Sequence, residues 1–170
     1  TFEEVAIAIE EMVIQGAFSI SIAAGYGLAL SAQVAGASIK DIYNAASRLK
    51  KTRPTGLALS RVLDLCLLRA KNAIKNNLTV ADQIIQLTDL IASDLAMQAR
   101  RTAQYALTLL NDGDTLLTHC FPDRSYVYLL MEAKRKSIKL NIICSETRPY
   151  LQGTKLSSWC AAELGFDTYV

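Results

Sequence analysis

Long runs of basic residues are absent from this sequence. The 170 residues carry a net charge of +2, and their lysines and arginines do not form the stripe with which a protein binds nucleic-acid phosphates. The composition therefore argues against nucleic acid as a partner. Because 51% of the residues are apolar, we predict a packed chain of one ordinary domain or two small ones.

Paired cysteine motifs are absent as well. Cys66, Cys120, Cys144 and Cys160 form no CxxC or CxxH spacing, which argues against a structural zinc site. Free thiols in a reducing cytosol are the simpler interpretation. The sequence predicts no metal and no other cofactor.

Charge is absent from the 28 residues Met12–Ile39, a stretch long enough to be considered as a membrane span. The stretch is rich in Ala, Ser and Gly rather than Leu, and Gln15 and Gln33 interrupt it. We therefore predict a helix buried in a protein core and no association with a membrane. The chain opens with Glu3 and Glu4 rather than with the basic segment of a signal peptide, so we expect a cytoplasmic protein.

Residues 1–111 show only helical periodicity and are predicted to form an all-helical domain. Ser38 is placed to cap the N-terminus of one of its helices, and Gly36 to end the helix before it. The predicted helices cover about residues 2–14, the uncharged stretch, 39–49, 55–75 and 79–110.

Residues 112–170 alternate between strand and helix patterns, which predicts the start of a Rossmann-like α/β domain with a parallel sheet. The strands are expected at Leu116–Thr118, Leu140–Cys144 and Phe166–Val170, and the helices at about Arg124–Lys136 and Lys155–Leu164. A parallel sheet of three strands would leave an exposed edge. We therefore expect further strands, and a domain that is truncated in this sequence.

The first of these strands ends at His119, the single histidine, and Cys120. Open parallel sheets bind ligands where a strand ends in a loop before a helix. A lone cysteine is nevertheless more often a small core residue than a reactive group. Position alone leaves both interpretations open.

Three polar clusters lie at breaks between predicted elements: Gln15–Ala17, Thr52–Thr55 and Glu146–Gly153. Gly16 would let a ligand approach the backbone closely. Arg53 lies just before a helix N-terminus, an arrangement suited to a phosphate. The alternative for each arginine in these clusters is that it caps a helix or pairs with a nearby acid.

Four motifs follow one another along the chain: Met12–Ala17 with Ile22–Leu30, Thr52–Thr55, Asp112–Cys120 and Glu146–Gly153. In type and order they resemble the methylthioribose-1-phosphate isomerases. These enzymes belong with the ribose-1,5-bisphosphate isomerases and with the regulatory subunits of initiation factor 2B. The resemblance implies a metal-free aldose–ketose isomerase that acts on an aldose 1-phosphate, and a homodimer or larger homo-oligomer.

The resemblance also implies roles for individual residues. Cys120 would be one member of a catalytic acid–base pair, and the other would be an aspartate on a strand beyond Val170. The residues implied to bind the sugar phosphate are Gln15, Gly16, Ala17, Arg53 and Gln152, with Arg53 as the main counter-ion of the phosphate. Arg148 and Glu146 match the family motif and would at most orient other groups.

Two departures from the family pattern keep a second function open. Gln15 stands where the family usually has arginine, and the loss of such a guanidinium contact costs roughly 1.5–3 kcal/mol. After Cys120, the family's Asn, Ala and Gly run is replaced by Phe121–Tyr126, in which Arg124 could supply the missing charge. The alternative to an isomerase is a non-catalytic binding or regulatory subunit of the same fold.

Overall fold

A computed structural model describes residues 1–34 and 37–170 of the chain. They divide into two compact units, unit 1 (Thr1–Leu95) and unit 2 (Ala96–Val170). The predicted break at Gly36 lies outside the described residues. The predicted domains, 1–111 and 112–170, have a different boundary from the two units and stay a prediction.

The regular structure described for unit 1 is helical. Its helices are α1 (Phe2–Glu10), α2 (Ala17–Ala32), α3 (Ile39–Lys51), α4 (Leu57–Lys75) and α5 (Val80–Leu107), the last continuing into unit 2. Helix α1 is shorter than predicted, and the chain turns at Met12, whose φ is 60°. The predicted cap of α3 is confirmed, because the Ser38 hydroxyl accepts a hydrogen bond from the Asp41 N–H and the Asp41 carboxylate accepts one from the Ser38 N–H.

Small residues of α2 allow it to pack closely in the core of unit 1. A Cβ atom on Gly25 would lie 2.7 Å from Thr88 Oγ1, and one on Gly27 would lie 3.1 Å from Val5 Cγ1. The buried side chains around α2 include Ile9, Leu28, Leu49, Leu59, Leu63 and Ile84. Among the described residues, no helix combines the length and the apolar character that crossing a membrane requires.

Unit 2 contains a parallel three-stranded sheet in the order β1-β2-β3. Its elements are β1 (Thr115–Thr118), α6 (Asp123–Arg135), β2 (Asn141–Cys144), α7 (Ser158–Glu163) and β3 (Asp167–Tyr169). A single turn of π-helix, Gly153–Ser157, runs into α7 and is called the π-turn below. Thr118 lies opposite Cys144 in the register of β1 and β2. The predicted alternation of strands and helices in a parallel sheet is therefore confirmed.

Candidate functional site

The carboxyl ends of β1 and β2 lie side by side at one edge of the sheet. The N–H of Ser145, the first residue after β2, donates to the carbonyl oxygen of Thr118, the last residue of β1, at 3.0 Å. His119 and Cys120 continue from β1 at the same edge. As expected from the sequence, the segment that follows β2 therefore lies beside Cys120.

The backbone of Cys120 is held by hydroxyl groups from two other segments. Its N–H donates to Thr147 Oγ1 at 3.1 Å, and its carbonyl oxygen accepts from Ser157 Oγ at 2.5 Å. Cys120 has a φ of 58°, in the left-handed region that residues other than glycine seldom adopt. The half-buried thiol thus extends from a backbone whose donor and acceptor are both occupied.

His119 and the loop after β2 form a second set of polar contacts. His119 Nδ1 lies 2.9 Å from Ser145 Oγ. Thr147 Oγ1 lies 3.4 Å from the same hydroxyl oxygen and donates to the Ser145 carbonyl at 3.1 Å. Because Thr147 also accepts from Cys120, its hydroxyl joins the loop after β2 to the loop after β1.

The π-turn approaches this loop so closely that only glycine fits at its start. A Cβ atom on Gly153 would lie 1.7 Å from the Ser145 carbonyl oxygen and 3.1 Å from Thr147 Oγ1. The predicted substrate-binding residue Gln152 immediately precedes Gly153 and is half-buried. The structure thus brings Gln152 into the segment that supplies Ser157 to Cys120.

Arg148 and Glu146 pair with each other on the surface of the same loop. Arg148 Nε donates to Glu146 Oε2 at 2.7 Å, and the arginine side chain is 78% exposed. The hydrogen bonds from Arg148 lower the pKa of the Glu146 carboxyl. The alternative left open by the sequence, an arginine paired with a nearby acid, therefore describes Arg148.

The other cysteines of unit 2 lie near the buried ring of Tyr126. Tyr126 donates its hydroxyl hydrogen to the Ser157 carbonyl oxygen at 3.1 Å. Burial raises the pKa of Tyr126, and it also raises the pKa of the Cys144 and Cys160 thiols. A raised pKa disfavours the reactive thiolate form, so these two thiols suit packing rather than nucleophilic chemistry.

The residues after Cys120 begin α6 and differ in their surroundings. Phe121 is half-buried and packs against the core of unit 2. Arg124 lies exposed in the first turn of α6, and within residues 1–34 and 37–170 it forms no ion pair. Its charge is therefore available to an anion, as the sequence-based hypothesis requires.

Unit 1 contains the other predicted substrate-binding residues. Gly16, with a φ of 86°, is the N-cap residue of α2, and Ala17 is its first residue. Gln15 is exposed, and its side-chain Nε2 donates to the Met12 carbonyl oxygen at 2.9 Å. These three residues thus form an exposed loop between α1 and α2.

Arg53 is half-buried and caps the C-terminal turn of α1. Its Nη2 atom donates to the Ile9 carbonyl oxygen at 2.8 Å. The pKa of the neighbouring Glu10 carboxyl is lowered mainly by hydrogen bonds from Arg48, with a smaller contribution from the charge of Arg53. Arg53 therefore has a structural partner, as in the capping alternative that the sequence left open.

Ser145, Thr147 and Ser157 were not among the residues predicted from the sequence. The roles of their hydroxyl groups follow from contacts between segments that are far apart in the chain. The only available signal was the position of Thr147 inside the Glu146–Gly153 motif, directly before Arg148. Among the residues that the structure describes, no group of three or more His, Cys, Asp or Glu side chains is placed to hold a metal ion.

The chain matches the Initiation factor 2 subunit family over residues 13–170. A Methanocaldococcus jannaschii protein provisionally named methylthioribose-1-phosphate isomerase is 36% identical over 98% of this chain and 48% of its own length. The crystal structure of 5-methylthioribose 1-phosphate isomerase from Pyrococcus horikoshii has a TM-score of 0.80 at 30% identity, over 99% of this chain and 51% of that one. The crystal structure of translation initiation factor eIF-2B subunit delta from A. fulgidus has a TM-score of 0.71 at 29% identity, over 99% and 53%. The chain thus spans about half the length of the relatives it matches.

Proposed function

The chain belongs to the Initiation factor 2 subunit family, and from this premise we propose that it is part of a sugar phosphate isomerase. The substrate would be methylthioribose 1-phosphate or a related pentose 1-phosphate, and the product the corresponding ketose 1-phosphate. A cyclic glycosyl phosphate must open its ring before hydrogen can move between C1 and C2. The reaction therefore needs a group that gives and takes protons.

The observation that carries the proposal is the position of Cys120. Its half-buried thiol lies at the carboxyl edge of a parallel sheet, where proteins of this architecture bind their ligands. Its backbone is fixed by Thr147 and Ser157. We propose Cys120 as one acid–base group, and an aspartate outside this sequence as the other.

The remaining roles are proposed on the strength of the family resemblance. Gln15, Gly16, Ala17, Arg53 and Gln152 would bind the sugar phosphate, and Arg124 would add a positive charge. Because Arg53 already donates to the Ile9 carbonyl, we propose that its remaining guanidinium donors contact the anion. The proposal places the protein in the cytoplasm, where the free thiols of Cys66 and Cys144 would remain reduced, and assigns it a homodimer or larger homo-oligomer.

The test is an activity assay of the full-length protein with methylthioribose 1-phosphate, ribose 1,5-bisphosphate and 5-deoxyribose 1-phosphate. We expect turnover of at least one of them, and a loss of about 100-fold or more in kcat for Cys120→Ser, because acid–base groups contribute roughly 10²–10⁴-fold. Cys160→Ser is the matched control, since Cys160 also lies in unit 2 and has no assigned role. Equal losses in the two variants would contradict the role of Cys120.

A second candidate is a non-catalytic binding or regulatory subunit. Two observations favour it: Phe121 packs into the core of unit 2 where the family pattern has small and polar residues, and the chain is 29% identical to the eIF-2B delta subunit structure. This candidate predicts that the protein binds a sugar phosphate without converting it. Isothermal titration calorimetry that shows binding of at least one of the three compounds, together with no product from any of them, would favour it over the isomerase.

A further inference from the structure

Two hydroxyl side chains hold both polar backbone groups of the proposed catalytic cysteine. Thr147 accepts from the N–H of Cys120 at 3.1 Å, and Ser157 donates to its carbonyl oxygen at 2.5 Å. These two groups belong to the peptide planes on either side of the Cys120 Cα atom. Fixing both planes fixes the backbone dihedral angles between them and therefore the direction of the Cα–Cβ bond.

The conformation that is fixed in this way is not one that cysteine prefers. A left-handed backbone brings a Cβ atom too close to the following carbonyl oxygen, and Cys120 has a φ of 58°. Thr147, a β-branched residue, has a φ of 59° and is an outlier of the same kind. Such conformations persist where the surrounding contacts over-determine them, and they cluster at functional sites.

The two hydroxyl groups are themselves held firmly. Thr147 uses its hydroxyl as an acceptor towards Cys120 and as a donor to the Ser145 carbonyl at 3.1 Å. Ser157 is fully buried in the π-turn, and its carbonyl oxygen accepts from Tyr126 at 3.1 Å. Thr147 therefore cannot turn its hydroxyl away from Cys120 without also breaking its hydrogen bond to the Ser145 carbonyl. The backbone that carries the Ser157 hydroxyl is anchored by Tyr126.

We propose that Thr147 and Ser157 are positioning residues, which hold Cys120 in its left-handed conformation and thereby aim the thiol. This inference rests on the proposed function, because it assigns them to the reaction through Cys120. It predicts an effect on the chemical step, since a displacement of about 1 Å of a reacting group can cost 10²-fold in rate. Neither residue is required to contact the substrate, so binding should change little.

The test compares Thr147→Val, which removes the hydroxyl and keeps the branched shape, with Thr147→Ser, which keeps the hydroxyl. We expect Thr147→Val to lower kcat at least about tenfold with KM within about threefold of the parent, and Thr147→Ser to recover most of the loss. Thr154→Val is the matched control. Thr154 lies in the π-turn that contains Ser157, and its Oγ1 atom has no hydrogen-bond partner among the described residues.

The second readout is the rate at which iodoacetamide alkylates Cys120 in the full-length protein across a range of pH. Mass spectrometry of the peptide that contains Cys120 measures this rate. Thr147→Val should change this rate by at least about threefold, because the thiol would point in a different direction, whereas Thr147→Ser and Thr154→Val should follow the parent. This readout requires no turnover. If the parent converts none of the sugar phosphates, the proposed function fails, and the alkylation rates still decide whether the two hydroxyl groups position the thiol.

The inference is overturned if Thr147→Val keeps both the parent kcat and the parent alkylation profile. It is also overturned if Thr147→Ser is as impaired as Thr147→Val, because the hydroxyl would then not be the determinant. Should Thr147→Val fail to fold, as judged by circular dichroism, the pair Ser157→Ala and Ser157→Thr provides the same comparison at the Cys120 carbonyl. We expect Ser157→Ala to be impaired in both kcat and the alkylation rate of Cys120, and Ser157→Thr to recover most of both losses.

Discussion

There is no room for a side chain at Gly153, and the group in the way is a backbone carbonyl rather than the end of a flexible side chain. A Cβ atom there would lie 1.7 Å from the Ser145 carbonyl oxygen, so either the loop after β2 or the π-turn would have to move. We expect Gly153→Ala to lower the free energy of unfolding by about 2–3 kcal/mol, as overpacking does. Urea denaturation measures this change.

Gly165 provides the control for Gly153, because it separates backbone strain from steric overlap. Its φ is 86°, and apart from its two chain neighbours no heavy atom of the described residues lies within 4 Å of the position of a Cβ atom. Gly165→Ala should therefore cost only the strain of the left-handed conformation, roughly 1–2 kcal/mol. A larger loss of stability in Gly165→Ala than in Gly153→Ala would contradict our account of the π-turn.

Single arginines show how far sequence reasoning reaches at the scale of one residue. The resemblance assigned Arg53 to the phosphate, while general considerations allowed it to cap a helix. The hydrogen bond to the Ile9 carbonyl joins residues 44 positions apart, and no local pattern in the sequence encodes such a contact. Arg148 and Glu146, in contrast, are two positions apart, and their pairing was within reach of the sequence.

At the scale of elements, the start of α3 provides a direct test of a predicted feature. The side chains of Ser38 and Asp41 form a reciprocal capping box. We expect Ser38→Ala to lower the free energy of unfolding by about 1 kcal/mol and to speed amide hydrogen exchange in the first turn of α3. Ser47, exposed in the interior of the same helix, is the control, and Ser47→Ala should not destabilise it. Equal effects of the two changes would rule out the capping contribution.

The elements that the sequence predicted best are those whose pattern is local. Apolar periodicity and the runs of β-branched residues located α4, α5 and β2 to within about three residues, and their alternation predicted the parallel sheet. The π-turn was instead expected to be part of an ordinary helix beginning at Lys155. Its geometry depends on the contact between Gly153 and Ser145, which forms only when β2 and the segment after it have packed.

For the molecule as a whole, topology explains which part of the candidate site the sequence could predict. Neighbouring parallel strands end at one edge, so Cys120 and the Glu146–Gly153 motif were expected near each other. The hydroxyl contacts of Ser145, Thr147 and Ser157 were beyond reach, because serine and threonine are common in loops and their partners lie in other segments. The left-handed conformation of Cys120 could not be predicted either, because it depends on the hydrogen bonds that Thr147 and Ser157 form with its backbone.

Two kinds of titrating group will shape how the stability of the molecule depends on pH. Burial raises the pKa of Cys66, Cys144 and Tyr126 above the ordinary values of 9.0 and 10.0. Their contribution to the free energy of unfolding is fully present below those pKa values and is lost as pH rises, because the unfolded chain releases these protons first. Hydrogen bonds from arginines lower the pKa of Glu10 and Glu132 below 4.5, so their contribution is present above that value and is lost as pH falls.

We therefore expect the free energy of unfolding to decrease below about pH 4.5 and above about pH 9, with different responses to salt. The acid decrease arises from exposed ion pairs and should shrink in about 1 M sodium chloride, whereas the alkaline decrease arises from burial and should persist. Tyr126→Phe should make the alkaline decrease less steep, while Tyr105→Phe should not, because Tyr105 is 68% exposed. Denaturant titrations across pH at two salt concentrations measure these slopes. An alkaline decrease that disappears in high salt would show that surface charge, and not burial of these groups, controls stability at high pH.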